Sequence, residues 1–217
     1  MTAAIIVASG SSQRMGFDKL LAEIDGKPVL QRSVEAFLAV ADIKRIIVVC
    51  PEERWNKIGV EDNRIIRVDG GETRQTSVNA GLDALGEGIK LVAIHDGARP
   101  LVSPADIAQC IAIARDYGAA TLAKPATETM MRADEDGFST KRVERDQIWF
   151  METPQVFELE QLVKAAQHTR VIGLDCTDEV SALQTIGGRV KFLEPSSPNI
   201  KITTPSDLAL AAALLKD

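Results

Sequence analysis

The 217-residue chain is poor in the side chains that build disulfide frameworks and transition-metal sites. Its three cysteines, Cys50, Cys110 and Cys176, are odd in number, widely spaced and without a C-x-x-C pair, and its two histidines are His95 and His168. These counts exclude a disulfide scaffold, a cysteine-based zinc site and a histidine-rich metal site. They also favour a reducing environment, so we expect a cytoplasmic protein.

Surplus positive charge and long apolar runs are absent as well. The chain has 25 lysines and arginines against 31 aspartates and glutamates, a formal net charge of −6. Broad binding to nucleic acid or to an anionic membrane surface depends on surplus lysine and arginine, so neither is expected. No apolar run has membrane-spanning length, and the first residues lack the pattern of a signal peptide.

The most informative stretch is a loop of small residues that follows residues 3–8, an apolar run typical of a buried strand. Small residues let backbone N–H groups converge on an anion, and this loop contains Gly10, Ser11, Ser12 and Gly16. Arg14 and Lys19 add two cations to the same segment. The pattern therefore predicts a cradle for a triphosphate.

Two common phosphate motifs do not fit this loop. The P-loop needs adjacent Gly and Lys, whereas Gly16 and Lys19 are separated. The dinucleotide-binding motif needs glycines where the chain has Ser12 and Met15. The loop instead resembles that of the nucleotidyltransferases, which have G-x-[GS]-x-R-M-G after a strand and a lysine a few residues later.

Beyond the first loop, apolar runs alternate with helical periodicity. Strands are expected at 44–50, 64–68, 91–94 and 190–193, and helices from Pro28, around 78–85, after 157 and from 205. This alternation predicts one α/β domain over 1–217 with a doubly wound, mostly parallel, Rossmann-like sheet. Ligands of such sheets bind at the carboxyl ends of the strands, so the loops after Ala8, Val68 and Ile94 should converge.

The loop after Val68 is expected to contact the nucleotide. Gly70 and Gly71 permit close approach of a ligand, and Glu72 and Ser77 offer a carboxylate and a hydroxyl to a ribose or base. The alternative is a simple turn before a helix, with Thr73 as its cap and Arg74 as a surface charge.

The loop after Ile94 supplies a candidate metal ligand. Asp96 ends a buried strand beside the phosphate loop, which suits a ligand of Mg²⁺, directly or through water. Its alternative role is capping of the next helix, but Ser103 and Asp106 already serve that start. We also expect Arg99 to be functional, whereas His95 is expected to be packed and hydrogen-bonded rather than catalytic.

A projecting β-hairpin is predicted within residues 125–152. Two strand-like runs, 128–133 and 138–145, flank an acidic turn that ends in Gly137. The runs contain few core-forming residues, and an isolated hairpin is marginally stable, so this arm needs a second surface on which to lie.

In this order along nearly the whole chain, the motifs resemble those of the 2-C-methyl-D-erythritol 4-phosphate cytidylyltransferases, CTP-dependent enzymes of the non-mevalonate isoprenoid pathway. The resemblance depends on short segments that are weak singly and specific together. They are the first loop with Arg14 and Lys19, residues 69–74 with Ser77, residues 95–100, Thr129, Arg145, residues 153–155, residues 177–178 and residues 199–203.

The resemblance implies transfer of CMP from CTP to the acceptor phosphate by a homodimer in which each arm hooks onto the other subunit. It implies catalytic roles for Arg14, Lys19 and Lys201, and Mg²⁺ held by Asp96, which would also serve the ribose or the substrate hydroxyls. The implied nucleotide-binding residues are Ala8, Ser9, Gly10, Gly71, Glu72, Ser77 and Asp96. The implied acceptor-binding residues are Arg99, Thr129, Arg145, Thr153, Thr177 and Lys201.

Several positions depart from the family pattern, and three alternatives stay open. The departures are Ser12 for Gly, Asp18 for Pro, Glu72 for Asp, Met131 for a basic residue and Glu152 for Gln. A ribitol 5-phosphate cytidylyltransferase shares the reaction, and a molybdopterin nucleotidyltransferase is favoured by the first loop alone. A catalytically silent nucleotide-binding subunit is disfavoured, because it has no use for a complete set of charges.

Overall fold

The computed structural model describes residues 1–10 and 16–216. Predictions that concern Arg14, Ser11 and Ser12 lie outside the described residues.

Within the described residues, the domain is built on a seven-stranded sheet of order β11-β7-β10-β6-β1-β4-β5. Neighbouring strands are parallel except β10, which is antiparallel to both β6 and β7. The strands are β1 (Thr2–Val7), β4 (Ile43–Val49), β5 (Ile65–Val68), β6 (Leu91–Asp96), β7 (Ala119–Pro125), β10 (Trp149–Glu158) and β11 (Lys191–Leu193). Two small separate pairs are β2 (Glu23–Ile24) with β3 (Lys27–Pro28), and β8 (Met130–Ala133) with β9 (Ser139–Val143).

Helices cover both faces of this sheet. They are α1 (Val29–Leu38), α2 (Glu52–Trp55), α3 (Arg74–Asp83), α4 (Pro104–Tyr117), α5 (Leu159–Val171), α6 (Glu179–Gln184) and α7 (Pro205–Leu214). Because side chains alternate along a strand, Ala4 and Ile6 of β1 belong to one buried cluster and Ala3 and Ile5 to another. The predicted doubly wound, mostly parallel sheet is therefore confirmed.

The predicted strands and helices agree with the structure to within a few residues, but two strands of the seven-stranded sheet, β7 and β10, were not predicted. Residues 152–157 were expected only to lead into a helix, whereas they belong to β10, which inserts between β6 and β7. Pro154 interrupts the apolar pattern of this strand, and its pairing shifts register between Met151 and Gln155. A short, interrupted apolar run is a weak strand signal, which explains the difference.

The predicted hairpin is present. β8 and β9 pair with each other outside the main sheet, and their turn is closed by the Phe138 backbone N–H, which donates to Asp134 Oδ1 at 2.8 Å. Gly137 has φ 86°, a conformation that favours glycine. At the base of the arm Trp149 packs on Phe192, with ring centroids 5.5 Å apart. Among the described residues, no helix is long and apolar enough to cross a membrane.

Candidate active site

Asp96 ends β6 at the carboxyl edge of the sheet and lies between two cations. Its Oδ2 accepts a hydrogen bond from Lys201 Nζ at 2.7 Å, and its Oδ1 accepts one from Arg74 Nε at 3.1 Å. The Asp96 backbone N–H donates to Thr153 Oγ1 at 3.1 Å. The end of β6, the start of α3, β10 and the segment before α7 therefore meet at Asp96.

The charges around Asp96 keep its carboxylate ionised. Burial alone would raise the pKa of the Asp96 carboxyl, but the cations of Arg74 and Lys201 outweigh burial and hold that pKa well below its ordinary value. The site thus contains a fixed negative charge surrounded by positive groups. An anionic ligand bound here would pair with the cations of Arg74 and Lys201. The carboxylate of Asp96 would accept a hydrogen bond from a hydroxyl or coordinate a metal ion.

Arg74 links this carboxylate to a second acid. Its two terminal nitrogens donate to the carboxylate of Glu179 at 2.8 and 2.9 Å, and the Glu179 backbone N–H donates to Gln155 Oε1 at 3.1 Å. Burial raises the pKa of Glu179, and Arg74 opposes that rise. Arg74 is therefore a bridge between α3, β6 and α6, rather than the surface charge considered as an alternative.

Arg99 and Thr153 lie beside Asp96 in a buried network. Arg99 Nη1 donates to the carbonyl of Asn199 at 2.6 Å, and Asn199 Nδ2 donates to the carbonyl of Thr153 at 2.8 Å. The Thr153 hydroxyl lies 3.0 Å from His95 Nδ1, and His95 Nε2 lies 3.3 Å from the carbonyl of Arg99. Because the carbonyl of Arg99 can only accept, the neutral imidazole carries its proton on Nε2, and the Thr153 hydroxyl donates to Nδ1.

The expectation that His95 is packed rather than catalytic agrees with this network. The ring is fully buried and tilted against Phe37, with centroids 4.8 Å apart. Burial lowers the pKa of His95 to about 3, so the imidazole is neutral near pH 7. A group with both ring nitrogens engaged and so low a pKa is not suited to act as a general base.

Lys19 reaches the same edge of the sheet from the first loop. Its Nζ donates to the carbonyl of Ile202 at 2.8 Å, and the Ile202 backbone N–H donates to the carbonyl of Ala98 at 2.8 Å. Lys19 is therefore hydrogen-bonded to Ile202, the residue that follows Lys201 in this anchored segment. Ile202 is fully buried, whereas the side chain of Lys201 is 40% exposed.

The small residues of the first two loops are in close contact. A Cβ at Gly70 would lie 1.9 Å from Ser9 Oγ and 2.8 Å from Ser77 Oγ, so that position requires glycine. The Gly71 backbone N–H donates to Ser77 Oγ at 3.2 Å, and Thr73 caps α3 in a reciprocal pair with Thr76. The predicted convergence of these loops is thus present.

Other predicted site residues lie apart from the cluster around Asp96. Thr129, Arg145 and Thr177 are exposed, and Arg145 Nη1 donates to the carbonyl of Thr127 within the arm. In the described part of the chain, none of the three is hydrogen-bonded to Asp96, Arg99 or Lys201.

Sequence reasoning did not single out Glu179 or Arg54, two buried charged residues at this edge of the sheet. Glu179 directly follows the family-like pair 177–178, and that position was its only signal. Arg54 lies in no motif, and its contacts are described below.

The donor set for a metal ion is small. Among the residues that the structure describes, no group of three or more His, Cys, Asp or Glu side chains could hold an ion. Asp96 lies at the centre of the candidate site. Its carboxylate oxygens accept hydrogen bonds from Arg74 and Lys201 and have lone pairs left for a metal ion. One carboxylate fits Mg²⁺ that is bound mainly through the phosphates of a substrate.

Comparison with known families gives one consistent result. The family model described as 2-C-methyl-D-erythritol 4-phosphate cytidylyltransferase matches residues 2–217. The relative of that name from Caldanaerobacter subterraneus subsp. tengcongensis is 41% identical, with 98% of this chain and 98% of the relative covered. The one from Pelotomaculum thermopropionicum is 39% identical, with 99% and 94% covered.

Solved structures agree with the sequence comparison. The 4-diphosphocytidyl-2C-methyl-D-erythritol synthase of Anaerococcus prevotii superposes with a TM-score of 0.88 at 28% identity, over 100% of this chain and 96% of that one. The 2-C-methyl-D-erythritol 4-phosphate cytidylyltransferase of Francisella tularensis gives a TM-score of 0.86 at 31% identity, over 98% and 99%.

Proposed function

Because the chain belongs to the 2-C-methyl-D-erythritol 4-phosphate cytidylyltransferase family, we propose that it transfers CMP from CTP to 2-C-methyl-D-erythritol 4-phosphate. The products are 4-diphosphocytidyl-2-C-methyl-D-erythritol and pyrophosphate. The observation that carries the proposal is the ionised Asp96 between Lys201 and Arg74 at the carboxyl edge of the sheet. Both substrates are anions, and this edge offers cations to both.

The nucleotide is proposed to lie along the first two loops. Close contact among Ser9, Gly70 and Ser77 supports this placement, because it brings the two loops together at one edge of the sheet. We assign the cytidine to Ala8, Ser9, Gly10, Gly71, Glu72 and Ser77, the ribose to Asp96, and the triphosphate to Arg14 and Lys19.

The acceptor is proposed to bind on the other side of Asp96. Arg99 and Thr153 are already fixed there by buried hydrogen bonds, so ordering them costs little entropy when a ligand binds. Arg99 and Lys201 would hold the phosphate, with Thr153 and Thr177 beside the polyol. Thr129 and Arg145 would come from the arm of the partner subunit.

We propose Mg²⁺ as the cofactor. Asp96 would contribute one carboxylate oxygen, and the oxygens of the nucleotide phosphates would complete the coordination. When bound, the ion supplies Lewis-acid neutralisation of the phosphate charge.

The transfer needs positioning and charge neutralisation rather than proton transfer. A phosphate oxygen of the acceptor attacks the α-phosphorus of CTP in line, and the bond to pyrophosphate breaks. The attacking phosphate is ionised near pH 7, so no general base is required, which is consistent with a buried neutral His95. Arg14, Lys19 and Lys201 stabilise the charge that spreads over the α-phosphoryl oxygens and the leaving group.

A homodimer joined by the arms is part of the proposal. The arm residues Phe138 and Met131 are 72% and 52% exposed, and β8 and β9 form a two-stranded sheet of their own. A two-stranded sheet with exposed apolar side chains gains stability when it lies on another surface.

The three free thiols, Cys50, Cys110 and Cys176, favour a cytoplasmic location, because unpaired cysteines persist in reducing compartments.

The acceptor is tested by comparing kcat/KM for two polyol phosphates with CTP at one Mg²⁺ concentration. We expect 2-C-methyl-D-erythritol 4-phosphate to be preferred over ribitol 5-phosphate, because unmatched hydroxyls leave buried polar groups unpaired. Preference for ribitol 5-phosphate would contradict the acceptor, and preference for GTP with molybdopterin would contradict the nucleotide. Absence of turnover with every acceptor, despite CTP binding, would indicate a silent binding subunit.

The shared site is tested by mixing two inactive variants, Arg145→Ala and Lys201→Ala. If the arm acts on the partner, each mixed dimer has one site with both residues intact, and random exchange should restore about a quarter of the parent activity. A label on one variant verifies that subunits exchange. Verified exchange without any return of activity would mean that each site is built from a single chain.

A further inference from the structure

Arg54 is a buried arginine that no sequence motif singled out, and it joins both ends of the first loop. It lies in α2, directly after β4, and is 8% exposed. Its Nη1 donates to the carbonyl of Ala8 and its Nη2 to the carbonyl of Gly10 at 3.1 Å. Its Nε donates to Asp18 Oδ2 at 2.7 Å. One guanidinium therefore contacts the segment that enters the loop and the segment that leaves it.

Asp18 in turn makes hydrogen bonds with the turn that contains Lys19. Its Oδ1 accepts from the Leu20 backbone N–H at 3.1 Å, and its carbonyl accepts from those of Leu21 and Ala22 at 3.1 and 3.2 Å. The turn that contains Lys19 is thus held to Asp18, and Asp18 is held to Arg54.

The chemistry of arginine suits such a connection. A planar guanidinium offers five N–H donors in a fixed fork, so it can bind two carbonyls and a carboxylate at once, which a lysine cannot do. Charge-assisted hydrogen bonds are also shorter and stronger than neutral ones. Through these bonds the guanidinium connects Asp18, and the turn that contains Lys19, to Ala8 and Gly10.

We propose that Arg54, paired with Asp18, is a positioning residue that sets the backbone of Ala8–Gly10 and the ammonium of Lys19 for the triphosphate of the nucleotide. The inference rests on the proposed function, because it assigns the effect to nucleotide binding. Among the described residues, Arg99 and Thr153 make no hydrogen bond with Arg54 or Asp18, so we expect the acceptor side to keep its geometry when the pair is broken.

The test is the dissociation constant for CTP with Mg²⁺, measured by calorimetry without acceptor. Asp18→Asn should raise Kd and the KM for CTP about tenfold, the size expected when one charge-assisted hydrogen bond is weakened. The KM for the acceptor should stay within about twofold. Asp18→Glu, which keeps the carboxylate, should recover part of the loss. The matched control is Asp42→Asn, which breaks the exposed Arg115–Asp42 pair of 3.1 Å and should leave Kd unchanged.

Each result decides the inference. An unchanged Kd in Asp18→Asn would overturn it, as would equal rises in the KM values of both substrates together with a lower thermal midpoint. Arg54→Lys, which keeps the charge but not the fork, should also raise Kd for CTP, and an unaltered value in this variant would count against the proposal. A parent that binds CTP yet transfers CMP to no polyol phosphate would overturn the proposed acceptor alone, because Kd still decides the role of Arg54. A parent that binds no CTP would overturn both.

Discussion

Replacement of Lys19 by alanine should lower kcat about 10²–10³-fold, the usual cost of removing one preorganised charge donor from a site of charge development. Lys19 qualifies because its ammonium is held at the carboxyl edge of the sheet by the carbonyl of Ile202, next to Lys201. Under the proposed function, an ammonium held in this way would need no reorganisation to bind the triphosphate. A loss in kcat, rather than only a rise in KM, is the signature of an interaction that strengthens in the transition state.

Stability should change little in the same variant. Loss of one partly buried hydrogen bond costs about 1 kcal/mol, or about 2–4 °C in the thermal midpoint of a chain of this size. The matched control is Lys164→Ala, which removes an exposed lysine that pairs with Glu160 on α5. It should leave kcat within about twofold of the parent. A Lys19→Ala enzyme with turnover that close to the parent would refute the assignment.

The parts of the site that could be predicted from the sequence are those that local patterns determine. An apolar run followed by small residues indicates a strand and the loop after it, and parallel strands bring their carboxyl ends to one edge. Gly70, Ser77 and Asp96 were found in this way, since each follows such a run, whereas Ser9 and Lys201 were implied only by the family resemblance. Their convergence in the structure confirms the argument about strand ends.

The contacts that could not be predicted join residues far apart in the chain. Arg74 meets Glu179 across 105 positions, and Arg54 meets Asp18 across 36. Charged residues at such separations give no periodic signal, because any arginine can pair with any acid until the fold decides which are neighbours. The antiparallel strand β10 was not predicted for a related reason. It pairs with β6 and β7, which are formed by other parts of the chain, and such pairing leaves no pattern in the sequence of β10 itself.

Replacement of Asp96 by asparagine should have the largest combined effect on stability and activity. The amide keeps the shape of the carboxylate but leaves Arg74 and Lys201 close together without their shared negative partner. Lys201 is 40% exposed and Arg74 keeps its hydrogen bonds to Glu179, so the cost should be about 1–3 kcal/mol, less than for a fully buried pair. The variant should also lose activity about 100-fold or more, since the cations are no longer held in place and the proposed metal ligand is gone.

A double-mutant cycle with Lys201→Met separates the electrostatic cause from a loss of packing. If the carboxylate acts by balancing charge, Asp96→Asn/Lys201→Met should be more stable than the sum of the single changes by about 0.5–3 kcal/mol, because the second change removes a repelling cation. Strict additivity of the two changes would indicate that the ion pair contributes nothing to the fold.

The pH dependence of the difference between the parent and Asp96→Asn gives a second check. The cations hold the pKa of Asp96 in the folded protein below its value of about 3.9 in the unfolded chain. For a depressed carboxyl pKa, the stabilisation is fully present above the unfolded value and is lost as pH falls through the folded one. The difference in thermal midpoint should therefore be constant from pH 7 to pH 5 and shrink only below about pH 4. A difference that is the same at pH 3 and pH 7 would show that the charge of Asp96 does not stabilise the fold.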